Sequence, residues 1–241
     1  MTAAEGMPTV VLFDVDGTLI DSGGAGARSW KHAFDKLYGI PADIGSHTSA
    51  GETDPVVARR TFEAAVGREP TEPELARLFA VYLLRLSEEV RTSEGYRVLE
   101  GVEDLLLMLS DAGTMLGIVS GAMEGAARVK LSRADLNRFF VFGGYGSDSD
   151  DRAKLTRGAI DKAEMLHGHD IGLNGVFIVG DTPLDVEAAR AVGAVSVAVA
   201  SGKFSVGELR SAGAGHVLPS LAAHFPEIGR ASCRERVFRT V

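Results

Sequence analysis

Five short apolar runs constrain this chain more than any other feature. VVLF (10–13) stops at Asp14, MLGIV (115–119) at Ser120-Gly121, FFVF (139–142) at Gly143-Gly144, VFIV (176–179) at Gly180-Asp181 and VSVAVA (195–200) at Ser201-Gly202. None alternates with polar residues, so each predicts a strand covered on both faces. Helical patterns lie between them, such as Val102–Leu109, stopped by Gly113, and Pro183–Val192, stopped by Gly193. Strands alternating with helices predict an α/β fold, a doubly wound parallel sheet of Rossmann type.

One interval breaks this alternation. From about residue 22 to 95 there is no convincing strand, and three helical patterns follow one another. Ala27, Trp30, Phe34, Leu37 and Tyr38 form one apolar stripe, and Asp54-Pro55 starts a second helix that runs to Gly67. Thr71-Glu-Pro-Glu74 has capping-box spacing, with Leu75, Leu78, Phe79, Tyr82, Leu86 and Val90 following at helical period. The expected organisation is a core of residues 1–21 and 96–227 with an all-helical module, 22–95, inserted after the first strand. A core of about 150 residues and a module of about 70 also account for the length of 241.

Composition excludes several classes. No apolar run approaches the roughly 20 residues that span a bilayer. MTAAEGMPT has neither the basic start nor the apolar stretch of a secretory signal. The single cysteine, Cys233, rules out an internal disulfide framework and suits a reducing, cytoplasmic setting. A net charge of −8 argues against nucleic acid, whose binding rests on Lys and Arg meeting phosphates. The last stretch is of another kind. IGRASCRERV reads like the translation of a sequencing-library adapter, so a non-native tail is expected over residues 228–241, the alternative being a short basic tail.

The polar residues at the strand ends carry the chemistry. Ligands of doubly wound sheets sit outside the carboxyl ends of the strands, where Asp14, Asp16, Ser120 and Asp181 fall, with Asp185 one helical turn on. Four carboxylates converging on one edge require a cation. Oxygen donors with no nearby His or Cys point to Mg2+, which takes a few carboxylates, water and a phosphate oxygen. Residues i and i+2 of an extended chain share a face, so Asp14 and Asp16 are expected to reach one ligand. One can attack phosphorus and the other can protonate the leaving oxygen. Gly17 permits the sharp exit of such a loop.

DVDGT, a strand ending in Ser120, a basic residue in third place and GDTPLD (180–185) together resemble the four motifs of the haloacid dehalogenase superfamily of phosphohydrolases. LFDVDGTLIDS and GDTPLDVEAARAVGA are most similar to its phosphoglycolate-phosphatase-like branch, which carries a helical cap where residues 22–95 lie. The resemblance implies a Mg2+-dependent phosphatase acting on a small phosphorylated metabolite through an aspartyl-phosphate, as a monomer or homodimer. Asp14 would be nucleophile and metal ligand, and Asp16 the acid/base, its carbonyl on the metal. Ser120, the Gly121 amide, Gly17 and Thr18 would bind phosphate. Asp181 would be a metal ligand, and Asp185 would hold a metal-bound water or orient the site.

The third motif departs from the usual Lys-Pro: SDSDDRAKLTRGA offers Arg152, nearer the strand end, or Lys154. Within the cap, SAGETDP (49–55) places Gly51, Glu52 and Thr53 as candidates over the site. Arg28, Trp30, His47 and Arg59 could also reach substrate, with Trp30 read as cap core. His167 and His169 are read as solvated. A β-phosphoglucomutase-like phosphomutase shares this chemistry. A signalling protein switched by a phosphorylated aspartate is the alternative from another class, although such receivers are about half this length and lack the helical insertion.

Overall fold

The computed structural model describes residues 8–46, 49 and 51–226. The proposed adapter-derived tail, 228–241, lies outside the described residues, as do His47 and Cys233. At the centre is β1 (Val10–Phe13), every residue of which is buried. The chain then forms β2 (Ile20–Ser22), the helices α1 (Ala25–Tyr38), α2 (Asp54–Val66) and α3 (Glu72–Thr92), and β3 (Tyr96–Val98). The remaining strands and helices alternate: α4 (Val102–Asp111), β4 (Met115–Ser120), α5 (Glu124–Ser132), β5 (Phe142–Tyr145), α6 (Arg152–His167), β6 (Val176–Gly180), α7 (Pro183–Val192), β7 (Val195–Val199), α8 (Val206–Ser211) and β8 (His216–Leu218).

Six strands form one parallel sheet in the order β5-β4-β1-β6-β7-β8. β1 pairs with β4 from Val10↔Met115 and with β6 from Val10↔Val176, so their carboxyl ends are level. The chain leaves β1 toward β4 and β5 and returns to β6 on the other side. This reversal is the crevice where doubly wound sheets bind ligands. Side chains of β1 alternate between faces, as a strand period of two requires. Val10 and Leu12 pack with Leu155, Ile160 and Ala189 of α6 and α7. Val11 and Phe13 join a cluster that continues through Leu106 and Leu131 into Trp30, Phe34 and Tyr82.

The doubly wound class with an inserted helical module therefore stands. Trp30 is stacked on Tyr82 at 4.1 Å and lies inside the cap, as its stripe predicts. The expected capping box also forms, with the Glu74 carboxylate accepting from the Thr71 amide at 2.9 Å. Two features differ from expectation. The run FFVF at 139–142 is not the fifth strand: Leu136–Phe139 is a 3-10 turn, and the strand is shifted to FGGY. A methyl on Gly144 would fall 1.9 Å from Leu155 O, so the strand uses glycines to let α6 close on it. The second difference is the antiparallel ribbon of β2 and β3, paired Ile20↔Val98 and Ser22↔Tyr96, through which the chain enters and leaves the cap. The two crossings touch just beyond it, since a methyl on Gly23 would fall 2.7 Å from Gly95 Cα. No described helix is long and apolar enough to cross a membrane.

Candidate active site

β1 delivers Asp14 to the crevice, where its amide donates to Val179 O of β6 at 2.8 Å. β6 ends one residue before Asp181, and the adjoining turn caps α7. Thr182 N and Oγ1 donate to Asp185 Oδ2 at 3.0 and 2.7 Å. The sequence thus brings Asp14, Asp181 and Asp185 together, all buried, with one carboxylate oxygen from each within 4.8 Å of the others.

Burial pushes the Asp14 carboxyl up to about 7, with Arg152 opposing the shift and Asp185 and Asp16 adding to it. Burial, with Asp14 and Asp185 close by, pushes Asp181 up to about 8. Folding has gathered negative charge that the protein alone does not neutralise. The donor set consists only of oxygen, which fits Mg2+. Asp14 and Asp181 are the ligands with capacity to hold it. Asp185 completes the trio, with its oxygens also accepting from Thr182 and from Arg152.

Arg152, the first residue of α6, is buried between these acids. Its Nη2 lies 3.1 Å from Asp14 Oδ1. Nε and Nη2 both donate to Asp185 Oδ1, the former at 3.1 Å. Lys154, two residues along and so on another face of the helix, is exposed and forms no part of the cavity wall, so Arg152 is the cation beside the acids. Ser120 and Gly121 close the same side at the end of β4.

Asp16 lines the same cavity as Asp14. Its carboxylate does not join the buried trio. After Asp14 the chain coils: Leu19 and Ile20 amides both donate to Val15 O, and Gly17 takes φ +81°. The Asp16 side chain instead turns toward Lys130 of α5, whose Nζ is 2.5 Å from Asp16 Oδ2. Gly17 fits the coil only as glycine, because a methyl there would lie 2.4 Å from Asp181 Oδ2. Thr18 is fully buried and outside the cavity wall; its hydroxyl donates to Asp181 Oδ1 at 3.4 Å, so it orients an acid rather than meeting phosphate.

These groups open onto a cavity of about 490 Å3 roofed by the cap. Gly51 and Glu52 line it; Thr53 is buried behind them. The roof rests on the core through main chain: Asp54 N donates to Gly121 O at 2.8 Å and Arg152 Nη1 to Gly51 O at 2.9 Å. The Asp54 carboxylate accepts from Met123 N at 2.8 Å. Of the other cap candidates, Arg28 pairs with Glu89 at 2.6 Å and Arg59 with Glu72 at 3.4 Å, both away from the cavity. His167 and His169 lie beyond it too, with ring centroids 4.0 Å apart.

The family profile of haloacid dehalogenase-like hydrolases matches residues 11–199, from β1 through β7 and including every group above. The chain belongs to this family. Among curated relatives, the phosphoglycolate phosphatase of Rhodospirillum rubrum is 31% identical over 229 residues, covering 90% of this chain and 89% of that one. That of Pseudomonas savastanoi is 27% identical over 197 residues, covering 81% and 71%. Among solved structures, a hydrolase from Pseudomonas syringae superposes with a TM-score of 0.68 at 25% identity, covering 89% and 94%. This haloacid dehalogenase-like hydrolase also has groups at its site that its motifs do not announce. Lys130 is the main one, with Asp54 and Lys203 at the cavity wall. Lys130 shares a helix face with Ala126, Ala127 and Leu131, all buried, and that periodicity is the signal that marks it as inward.

Proposed function

We propose that this chain is a Mg2+-dependent phosphatase that hydrolyses a small phosphate monoester, 2-phosphoglycolate or a sugar phosphate, through an aspartyl-phosphate. The observation that carries the reading is a buried Asp14 at the end of the central strand, flanked by Arg152 and Asp181 and facing a roofed cavity.

In this reading an oxygen of Asp14 attacks phosphorus in line with the ester oxygen. As the P–O bond breaks, its electrons go to the leaving oxygen, which takes the proton of Asp16. The Asp16 carboxylate then accepts a proton from water, and the resulting hydroxide attacks phosphorus to release inorganic phosphate and restore Asp14. Arg152 holds Asp14 and offsets charge on the phosphoryl group. Ser120 Oγ and the Gly121 amide bind its equatorial oxygens. Mg2+, held by Asp14, Asp181 and the Asp16 carbonyl, would supply charge neutralisation at the phosphoryl oxygens. The roof keeps water away until the ester has been cleaved.

The R. rubrum and P. savastanoi relatives, named as phosphoglycolate phosphatases, support that substrate class. The test is release of phosphate from 2-phosphoglycolate, p-nitrophenyl phosphate and a panel of sugar phosphates in Mg2+. Turnover should vanish in Asp14→Asn and in excess chelator; full activity in either would remove the mechanism. Conversion of β-glucose 1-phosphate to glucose 6-phosphate without phosphate release would instead establish a phosphomutase.

A further inference from the structure

The Asp16 side chain is 44% exposed toward the cavity, on a loop held mainly by main-chain bonds. An acid that delivers a proton to one ester oxygen needs a fixed direction, because a misplacement of about 1 Å can cost roughly 100-fold in rate. Among the described residues, the side-chain partner of its carboxylate is Lys130, whose Nζ donates to Asp16 Oδ2 at 2.5 Å. Lys130 is itself buried, with 7% of its side chain exposed. An ammonium in such a place costs several kcal/mol of lost hydration. A helix packing against apolar neighbours would be served without that cost by Met or Leu.

Lys130 is held from several directions. Its carbonyl accepts from Tyr96 Oη of β3 at 2.9 Å. Its ammonium donates to Asp16 and feels the charge of the Asp54 carboxylate nearby, while Tyr82 of the cap is stacked on Trp30. Asp54 accepts from Met123 N and, among the described residues, the ion pair of Lys130 is with Asp16.

We propose that Lys130 is a positioning residue, fixing the Asp16 carboxyl so that its proton reaches the leaving oxygen. The inference rests on the acid/base reading of Asp16 above. It assigns to α5 a task in the reaction rather than a role in packing alone.

The experiment compares Lys130→Met, Asp16→Asn and the double variant with the unaltered protein on two esters. One is 2-phosphoglycolate, or whichever alkyl phosphate of the panel the unaltered protein hydrolyses. The other is p-nitrophenyl phosphate, whose phenolate leaves with little need of a proton. Lys130→Met should lower kcat on the alkyl ester by ~30- to 100-fold, with KM changing less than ~3-fold, and should lower kcat on the nitrophenyl ester by less than ~5-fold. In the Asp16→Asn background, Lys130→Met should cost less than ~2-fold more, since it acts through Asp16. Should Lys130→Met fail to fold, Lys130→Gln, which keeps an N–H donor, is expected to show the same dependence on leaving group. Equal losses on both esters, a change confined to KM, or additive losses in the double variant would overturn the proposal while leaving the phosphatase reading in place. No hydrolysis of any ester by the unaltered protein would overturn both.

Discussion

Asp181→Asn is expected to make the metal-free protein more stable while ending its activity. Asp181 is buried in contact with Asp14 and Asp185, and burial with this crowding holds its carboxyl up near 8. Raising a carboxyl from its ordinary 3.8 to about 8 sets a ceiling of ~6 kcal/mol against folding once the group must ionise. Water at the cavity face offsets about half, which leaves ~2–3 kcal/mol. The folded state holds the Asp181 proton more tightly than the unfolded chain does. Its contribution is therefore harmless below about pH 4, and stability falls as pH rises toward 8. Asparagine removes that loss and still accepts the Thr18 hydroxyl. In a chain of this size each kcal/mol shifts the melting temperature by about 2–4 °C, so the variant should melt roughly 5–10 °C higher at about pH 8.5 in chelator. The gap should nearly close at about pH 4.5. Thermal unfolding followed by circular dichroism reads both values. Added Mg2+ should raise the melting point of the parent and leave the variant unmoved. A variant melting at or below its parent at about pH 8.5, or a gap that does not change with pH, would refute the reasoning.

Arg152→Gln acts in the opposite sense. It leaves Asp14 and Asp185 facing each other without their cation, and should destabilise by about 3–5 kcal/mol in urea unfolding while lowering kcat at least ~100-fold. Gly146→Ala puts a methyl 2.0 Å from Gly121 O, so it should cost ~1–3 kcal/mol by overpacking and raise KM by moving the Ser120-Gly121 turn at the cavity wall; an unchanged KM and melting point would count against that contact. Trp30→Ala removes the ring stacked on Tyr82 and should lose about 3–5 kcal/mol, measured by the shift in urea midpoint.

The parts legible in the sequence are those where one physical demand dominates. Strands buried on both faces must be wholly apolar, so β1, β4, β6 and β7 were plain to see. A helix opening with Asp-Pro or a capping box declares its start, and α2 and α3 begin where such signals stand. The shift of β5 was hidden because close approach of α6 puts glycines into the strand, and those glycines read as its end. β2 and β3 were hidden because three residues carry no period.

At the site, Asp14 and Asp181 followed from strand ends alone. The contact of the Asp16 carboxylate with Lys130 did not, because the two residues lie 114 positions apart and only the fold brings α5 to that loop. Asp185 was correctly placed near the acids, yet its engagement with Arg152 and Thr182 required coordinates. Lys130 was lost to the habit of reading a mid-helix lysine as solvated. Its buried neighbours one turn away on α5 contradict that habit.

The ribbon of β2 and β3 bears on the history and redesign of the molecule. Entry and exit lie side by side, in contact at Gly23 and Gly95. The helical lid is nevertheless no detachable cassette: Arg133 of the core donates to Val90 O and Ser93 O of the lid, Met123 N to Asp54, and one apolar cluster runs through both, so a graft between residues 23 and 95 has to carry the partners of α5 with it.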